Sequence, residues 1–202
     1  MTPEEALHRL LDGNERYVND HLLHPDRNTE RREAVRAQQE PFAIILGCSD
    51  SRVPPEIIFD QGVGDLFVVR VAGNVVGPIE LDSLEYSVKY LHSCLIIVLG
   101  HARCGAVTAV LQGDTEEIEA VSSRIDPIIQ ECRHDHSNYT FPELLDLCIR
   151  SNVKNVVEQI RTSPLISRYV QERKVDVVGG YYDLSTGKVE ILSICNNKGC
   201  SG

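Results

Sequence analysis

Cys48-Ser49-Asp50-Ser51-Arg52 and His101-Ala102-Arg103-Cys104-Gly105 carry the residue types in this chain best suited to chemistry. Cys48, His101 and Cys104 supply two thiolates and one imidazole, a soft nitrogen and sulfur set suited to zinc. Three protein ligands leave a fourth position open, as catalytic zinc sites do. The two thiolates offset the charge of Zn²⁺, so the ion should be a weaker Lewis acid than one held by three neutral imidazoles. A single buried cysteine reads more readily as a small hydrophobe, and that reading stands for Cys94, Cys132, Cys148 and Cys195. Two such segments in equivalent settings favour the metal for Cys48, His101 and Cys104. Asp50 and Arg52 add to it. A carboxylate beside a guanidinium stays ionised and then only accepts hydrogen bonds, so Asp50 can orient a nucleophile.

Convergence requires both segments to end neighbouring strands. The runs 42–46, 66–71 and 95–99 are short, rich in β-branched residues and apolar without alternation, as strands buried on both faces of a parallel sheet are. A helix is expected over 78–91, and another from Gly105 to Leu111 would place Cys104 at a helix N-terminus, where the dipole favours a thiolate. This βαβα order predicts right-handed crossovers and a site beyond the carboxyl ends of the strands. Thr2-Pro3-Glu4-Glu5 opens an N-terminal helix with a capping box, and the charged stretch from His24 to Gln39 reads as a second helix in a solvated or subunit-facing arm. Helical pattern resumes from Glu116, is interrupted at Asp126-Pro127, and restarts at the cap Thr140-Phe141-Pro142-Glu143. The runs 175–182 and 188–192 form a closing hairpin. The expected fold is therefore α/β, a mostly parallel central sheet flanked by helices, with an N-terminal helical arm (1–40) and a C-terminal antiparallel hairpin. One domain covers 1–202, ending in a flexible tail (195–202) whose Cys195 and Cys200 receive no function.

The chain has 202 residues, 42% hydrophobic and 25% charged, enough to bury a substantial core. No apolar run approaches the ~20 residues of a membrane span, which argues against a membrane protein. A formal charge of −10 has the wrong sign for binding nucleic acid. Seven scattered cysteines, an odd number, read as reduced. The first residues lack a basic region and an apolar region, so the expected location is the cytoplasm, or an organelle if a transit segment has been removed.

Cys48-x-Asp50-x-Arg52 with His101-x-x-Cys104-Gly105 resembles the paired signature of the β-class carbonic anhydrases, and the similarity runs from the N-terminal helices to Gly179-Gly180-Tyr181. The resemblance implies reversible hydration of carbon dioxide to bicarbonate, one Zn²⁺ per chain on Cys48, His101 and Cys104, and an Asp50–Arg52 pair orienting the nucleophile. It also implies homodimers or assemblies of dimers. Gln39, Phe67 and Tyr86 fall on positions that mark the family's plant-like subgroup. They would bind or enclose substrate beside a second donor, the Gly105 N–H. Ile45 stands where the other subgroup has the tryptophan of a noncatalytic bicarbonate site. A relative hydrolysing carbon disulfide or carbonyl sulfide with the same zinc stays open, as does a noncatalytic zinc scaffold, although a structural site needs neither Asp50–Arg52 nor Gln39. A thiol phosphatase fits poorly, because Arg52 follows Cys48 too closely for a phosphate loop. Each chain is expected to bind one zinc, and Cys48→Ala or His101→Ala to lose it, since two donors hold the ion too weakly. Metal analysis of the purified variants checks this, and stoichiometric zinc in either would overturn the ligand assignment.

Overall fold

The computed structural model describes residues 1–192, and the Cys195–Cys200 tail lies outside them. The elements in chain order are α1 (Pro3–Val18), α2 (Thr29–Ala34), β1 (Ala43–Gly47), α3 (Pro55–Ile58), β2 (Leu66–Arg70), α4 (Pro78–Tyr90), β3 (Leu95–His101), α5 (Gly105–Gln112), α6 (Glu119–Asp135), α7 (Phe141–Arg161), α8 (Pro164–Gln171), β4 (Asp176–Tyr182) and β5 (Val189–Leu192), with a 3₁₀ turn at Ala72–Asn74. Both expected caps form. Thr2 Oγ1 accepts from the Glu5 N–H at 3.2 Å while Glu5 Oε2 accepts from the Thr2 N–H at 2.7 Å, and Glu143 Oε2 takes the Thr140 N–H at 2.8 Å.

The strands pair in the order β2-β1-β3-β4-β5, parallel except for the antiparallel β4–β5 edge. Burial on β1 and β3 divides by parity. Ile44, Leu46, Ile96 and Val98 face α4 to α8, whereas Ala43, Ile45, Leu95, Ile97 and Leu99 face α1 and α3. Both central strands therefore have two buried faces, and their apolar runs need no alternation. Gly47 pairs with Leu99, so β1 and β3 end almost level. β1 leads to β2 on one side while β3 and β4 extend on the other. The crevice between the ends of β1 and β3 is thus the point where the strand order reverses, the usual binding position in an open α/β sheet.

Two local expectations are corrected. β2 is only half-buried, because it is an edge strand with no neighbour on its outer side among the described residues. α6 runs unbroken through Pro127, with Ile125, Ile128, Ile129 and Cys132 buried on both sides of the proline. Burying four such side chains outweighs the ~3 kcal/mol a mid-helix proline costs. The polar arm is solvated as expected, with no residue of 24–39 buried, and side chains of the N-terminal region also tie it to its own chain. Arg9, Arg27 and Arg31 reach Gln61 and Asp65, and Arg31 Nε donates to the Val63 carbonyl at 2.7 Å. No helix of the described residues is long and apolar enough to cross a membrane.

Asp60 anchors the end of α1 to the segment that follows the first site loop. Its carboxylate is fully buried and accepts from Arg16 Nε at 2.8 Å and from the Leu23 and His24 N–H groups at 3.0 Å each. Burial raises its pKa, but the Arg16 hydrogen bond and the two backbone donors outweigh that and hold it below the usual carboxylate value. A depressed native pKa stabilises the fold above the unfolded value near ~3.9 and stops doing so as pH falls through the native value. Asp60→Asn should therefore lower stability by about 2–4 kcal/mol at pH 7. Chemical denaturation of parent and variant should show that difference narrowing below about pH 4.

Candidate metal centre

β1 delivers Cys48 one residue past its end, and β3 delivers His101 as its last residue. Cys104 is the residue before α5, so strand ends and a helix start bring the three together. Cys48 Sγ, Cys104 Sγ and a His101 ring nitrogen all lie within 4.8 Å of one another, and all three residues are buried. The two sulfurs are 4.0 Å apart. A tetrahedral ion with bonds of about 2.3 Å to sulfur needs sulfurs about 3.8 Å apart, so the spacing fits with little movement.

The imidazole shows the same fit. His101 Nδ1 lies 2.9 Å from the Ala102 carbonyl, which can only accept, so Nδ1 carries the proton and Nε2 presents a lone pair. That Nε2 is buried without a protein hydrogen-bond partner. A buried unpaired lone pair facing two sulfurs is the expected signature of a ligand.

The thiols are electrostatically linked. A hydrogen bond from Cys104 pulls the Cys48 pKa down to about 4 against its burial, with help from the Asp50 and Gly73 N–H groups. The same contact and burial push Cys104 up, although the Val107 and Ala106 N–H groups at the start of α5 favour its thiolate. The pair favours one negative charge over two, and a cation beside it would favour the second.

Asp50 stands at the mouth. Its Oδ1 accepts from the Arg52 N–H and Nε at 2.9 Å each, and its Oδ2 from Arg52 Nη2 at 2.7 Å. The Arg52 hydrogen bonds hold the carboxyl far below the usual range despite partial desolvation. Oδ2 also lies 3.9 Å from His101 Nε2, so an ionised acceptor overlooks the donor trio without belonging to it. Gly105 lies beside this opening, and a Cβ there would meet nothing within 4 Å.

Gln39, Phe67 and Tyr86 sit elsewhere in the chain. Gln39 and Tyr86 line a separate cavity of about 890 Å³ with Phe42 and Tyr90, and none of the metal-centre residues borders it. Phe67 packs on Tyr86 with ring centroids 6.3 Å apart. Phe67 pairs with Ile44, three positions before the end of β1, or about 10 Å back along the sheet. The three residues are thus gathered together but not onto this chain's own metal centre.

Three contributors escaped sequence reasoning. Arg70 donates through Nε to the Cys48 carbonyl at 3.0 Å and through Nη2 to the Asp50 carbonyl, clamping the first loop. The Gly73 N–H donates to Cys48 Sγ at 3.4 Å, and Asn152 Nδ2 donates to the Gly73 carbonyl at 2.9 Å. An arginine ending a strand and a glycine beside an asparagine gave some local signal, but the distant partners gave none.

Known proteins resemble the chain along most of its length. The carbonic anhydrase family profile matches residues 43–189. A carbonic anhydrase of Mycolicibacterium smegmatis is 38% identical over 202 residues, spanning 95% of this chain and 94% of its own. The solved β-carbonic anhydrase CcaA superposes with a TM-score of 0.76 at 26% identity, over 92% of this chain and 94% of that one. A chain from two tetrameric β-carbonic anhydrases of Sordaria macrospora gives a TM-score of 0.68 at 25% identity, over 90% of each chain.

Asp50→Asn is expected to keep full metal occupancy, since it removes no member of the trio. It should lose most turnover, because an amide presents a donor where the carboxylate offers only acceptors. Metal content and rate measured on one preparation check both halves, and full turnover with metal retained would remove Asp50 from the chemistry.

Proposed function

This chain belongs to the β-class carbonic anhydrases, and from that premise we propose that it hydrates carbon dioxide reversibly to bicarbonate and a proton, with one zinc ion on Cys48, His101 and Cys104. The observation that carries the metal reading is the buried, unpartnered His101 Nε2 beside two sulfurs 4.0 Å apart. When bound there, zinc supplies the Lewis acidity that makes water a usable nucleophile near neutral pH.

The chain's own groups do the rest. Arg52 keeps Asp50 ionised and fixed, so Asp50 takes the nucleophile's hydrogen bond and leaves its lone pair for carbon dioxide. The Gly105 N–H, at the start of α5, is a donor for an oxygen of the nascent bicarbonate. A noncatalytic scaffold would need no such carboxylate–guanidinium pair at the mouth.

Substrate enclosure needs a second copy of the chain. Gln39, Phe67 and Tyr86 lie together beside the β2 edge, where Tyr86, Tyr90 and Ile79 are exposed. In a homodimer formed on this face, each chain offers Gln39 as a donor to bicarbonate at its partner's metal centre, while Phe67 and Tyr86 exclude water. The tetrameric relatives are in keeping with dimers or assemblies of dimers.

Stopped-flow hydration of carbon dioxide by protein of measured zinc content tests the activity, and a zinc-loaded parent without turnover would overturn it. Gln39→Ala should cost about 2–4 kcal/mol of transition-state stabilisation, the size of a lost oxyanion donor. Mixing Gln39→Ala with Cys48→Ala subunits should restore part of the rate, because a mixed dimer rebuilds one complete site. No recovery in demonstrated mixed dimers would place the glutamine's action within its own subunit.

A further inference from the structure

Asn152 is a polar side chain in an apolar setting. It is buried on α7 among Ile149, Val153 and Val156, which face the sheet side of the core. α7 can approach this closely because strand glycines lie beneath it. A Cβ at Gly100 would come within 2.4 Å of Val153 Cγ2, and one at Gly179 within 2.8 Å of Val153 Cγ1. With Val153 seated over those glycines, Asn152 reaches the 3₁₀ turn that borders the metal centre.

One hydrogen bond joins Asn152 to that turn, from Nδ2 to the Gly73 carbonyl at 2.9 Å. Its Oδ1 is buried without a hydrogen-bond partner, as is Nδ2 of the neighbouring Asn74. A half-satisfied buried amide is an expensive way to fill space beside isoleucine and valine. The turn it holds is itself unusual. Gly73 has φ 68° and Asn74 φ 44°, and a Cβ on Gly73 would meet Ile125 Cδ1 at 2.8 Å. This left-handed backbone turns the Gly73 carbonyl toward α7 and its N–H toward Cys48 Sγ, at 3.4 Å.

We infer that Asn152 is a positioning residue for the metal centre, pinning the Gly73 carbonyl so that the Gly73 N–H donates to Cys48 Sγ. The inference rests on the reading of Cys48, His101 and Cys104 as metal ligands. An N–H directed at a ligating thiolate draws electron density from the sulfur and fixes its orientation, so it strengthens the site's geometry and leaves the ion more electrophilic. Without Asn152 the turn is free to rotate its peptide groups, and the sulfur loses a fixed donor. Nothing in this role requires Asn152 to touch substrate.

The test uses the full-length protein in zinc and cobalt forms. Cobalt(II) reports the thiolate directly through its sulfur-to-metal charge-transfer band, which moves to longer wavelength when a hydrogen bond to the sulfur is lost. Asn152→Leu keeps the branched shape and removes the donor, and Asn152→Ser is the fallback if the leucine variant does not fold. In a folded variant the charge-transfer band should shift to longer wavelength, and zinc affinity measured by chelator competition should fall about 10–100-fold. Apoprotein melting should stay within a few degrees of the parent, which separates positioning from general packing. An unshifted band with parental zinc affinity overturns the inference, and so does failure of both variants to fold, which makes Asn152 a structural residue of α7. If the parent binds no zinc or cobalt, or Cys48→Ala binds it as the parent does, the ligand reading itself has failed.

Discussion

Two sulfurs and an imidazole lone pair within 4.8 Å of one another, all buried, form an electrostatic arrangement that a protein can sustain only with strong support. The hydrogen bond between the two sulfurs pulls Cys48 toward ionisation against its burial and pushes Cys104 away from it, with burial adding to the push on Cys104. A divalent cation would resolve the conflict, and the surrounding framework holds the donors at spacings that suit one. Level endings of β1 and β3 bring Cys48 and His101 side by side, and the start of α5 supplies amide dipoles at Cys104. The Ala102 carbonyl selects the useful tautomer of His101, and Arg70 clamps the loop that carries Cys48 and Asp50.

That framework is uneven across the sheet. Five helices from α4 to α8 cover one face, while α1 and the short α3 cover the other. The thicker layer gives rigidity where it matters. Glycines at 100 and 179 let α7 press on the strands, and Ile125 of α6 leaves no room for a side chain at Gly73. Backbone conformation at the metal centre is thus determined by helices that contribute no ligand. The thinner side is secured by ionic contacts, with Arg9, Arg16 and Arg31 drawn to Asp60 and Asp65.

Function is also divided in space. The metal residues and Asp50 occupy the carboxyl ends of the central strands, while the aromatic pair and Gln39 lie beside the amino-terminal part of the β2 edge. An exposed edge with large apolar side chains is a liability in an isolated chain and an asset in an assembly. The proposed dimer on this face would cover the edge and complete the substrate pocket with one set of contacts.

Features that depend on residue type and short spacing are readable along the chain. The candidate donor set in Cys48, His101 and Cys104, the caps at Thr2 and Thr140, and the apolar cores of β1 and β3 were all legible because each is a local property. Features that depend on distant neighbours emerge only in the folded chain. It showed that α6 carries Pro127 unbroken, since flanking isoleucines gain more from packing than the proline removes. It made β2 an edge strand, which no count of its apolar residues reveals. It joined Asn152 to Gly73 and Gly73 to Cys48, contacts between residues far apart in the chain that sequence spacing cannot express. Gln39, Phe67 and Tyr86 show the boundary most clearly: their chemical types were readable, but their separation from the metal centre follows from the sheet register of Phe67 and from the packing of α4 and the segment before β1, all properties of the whole fold.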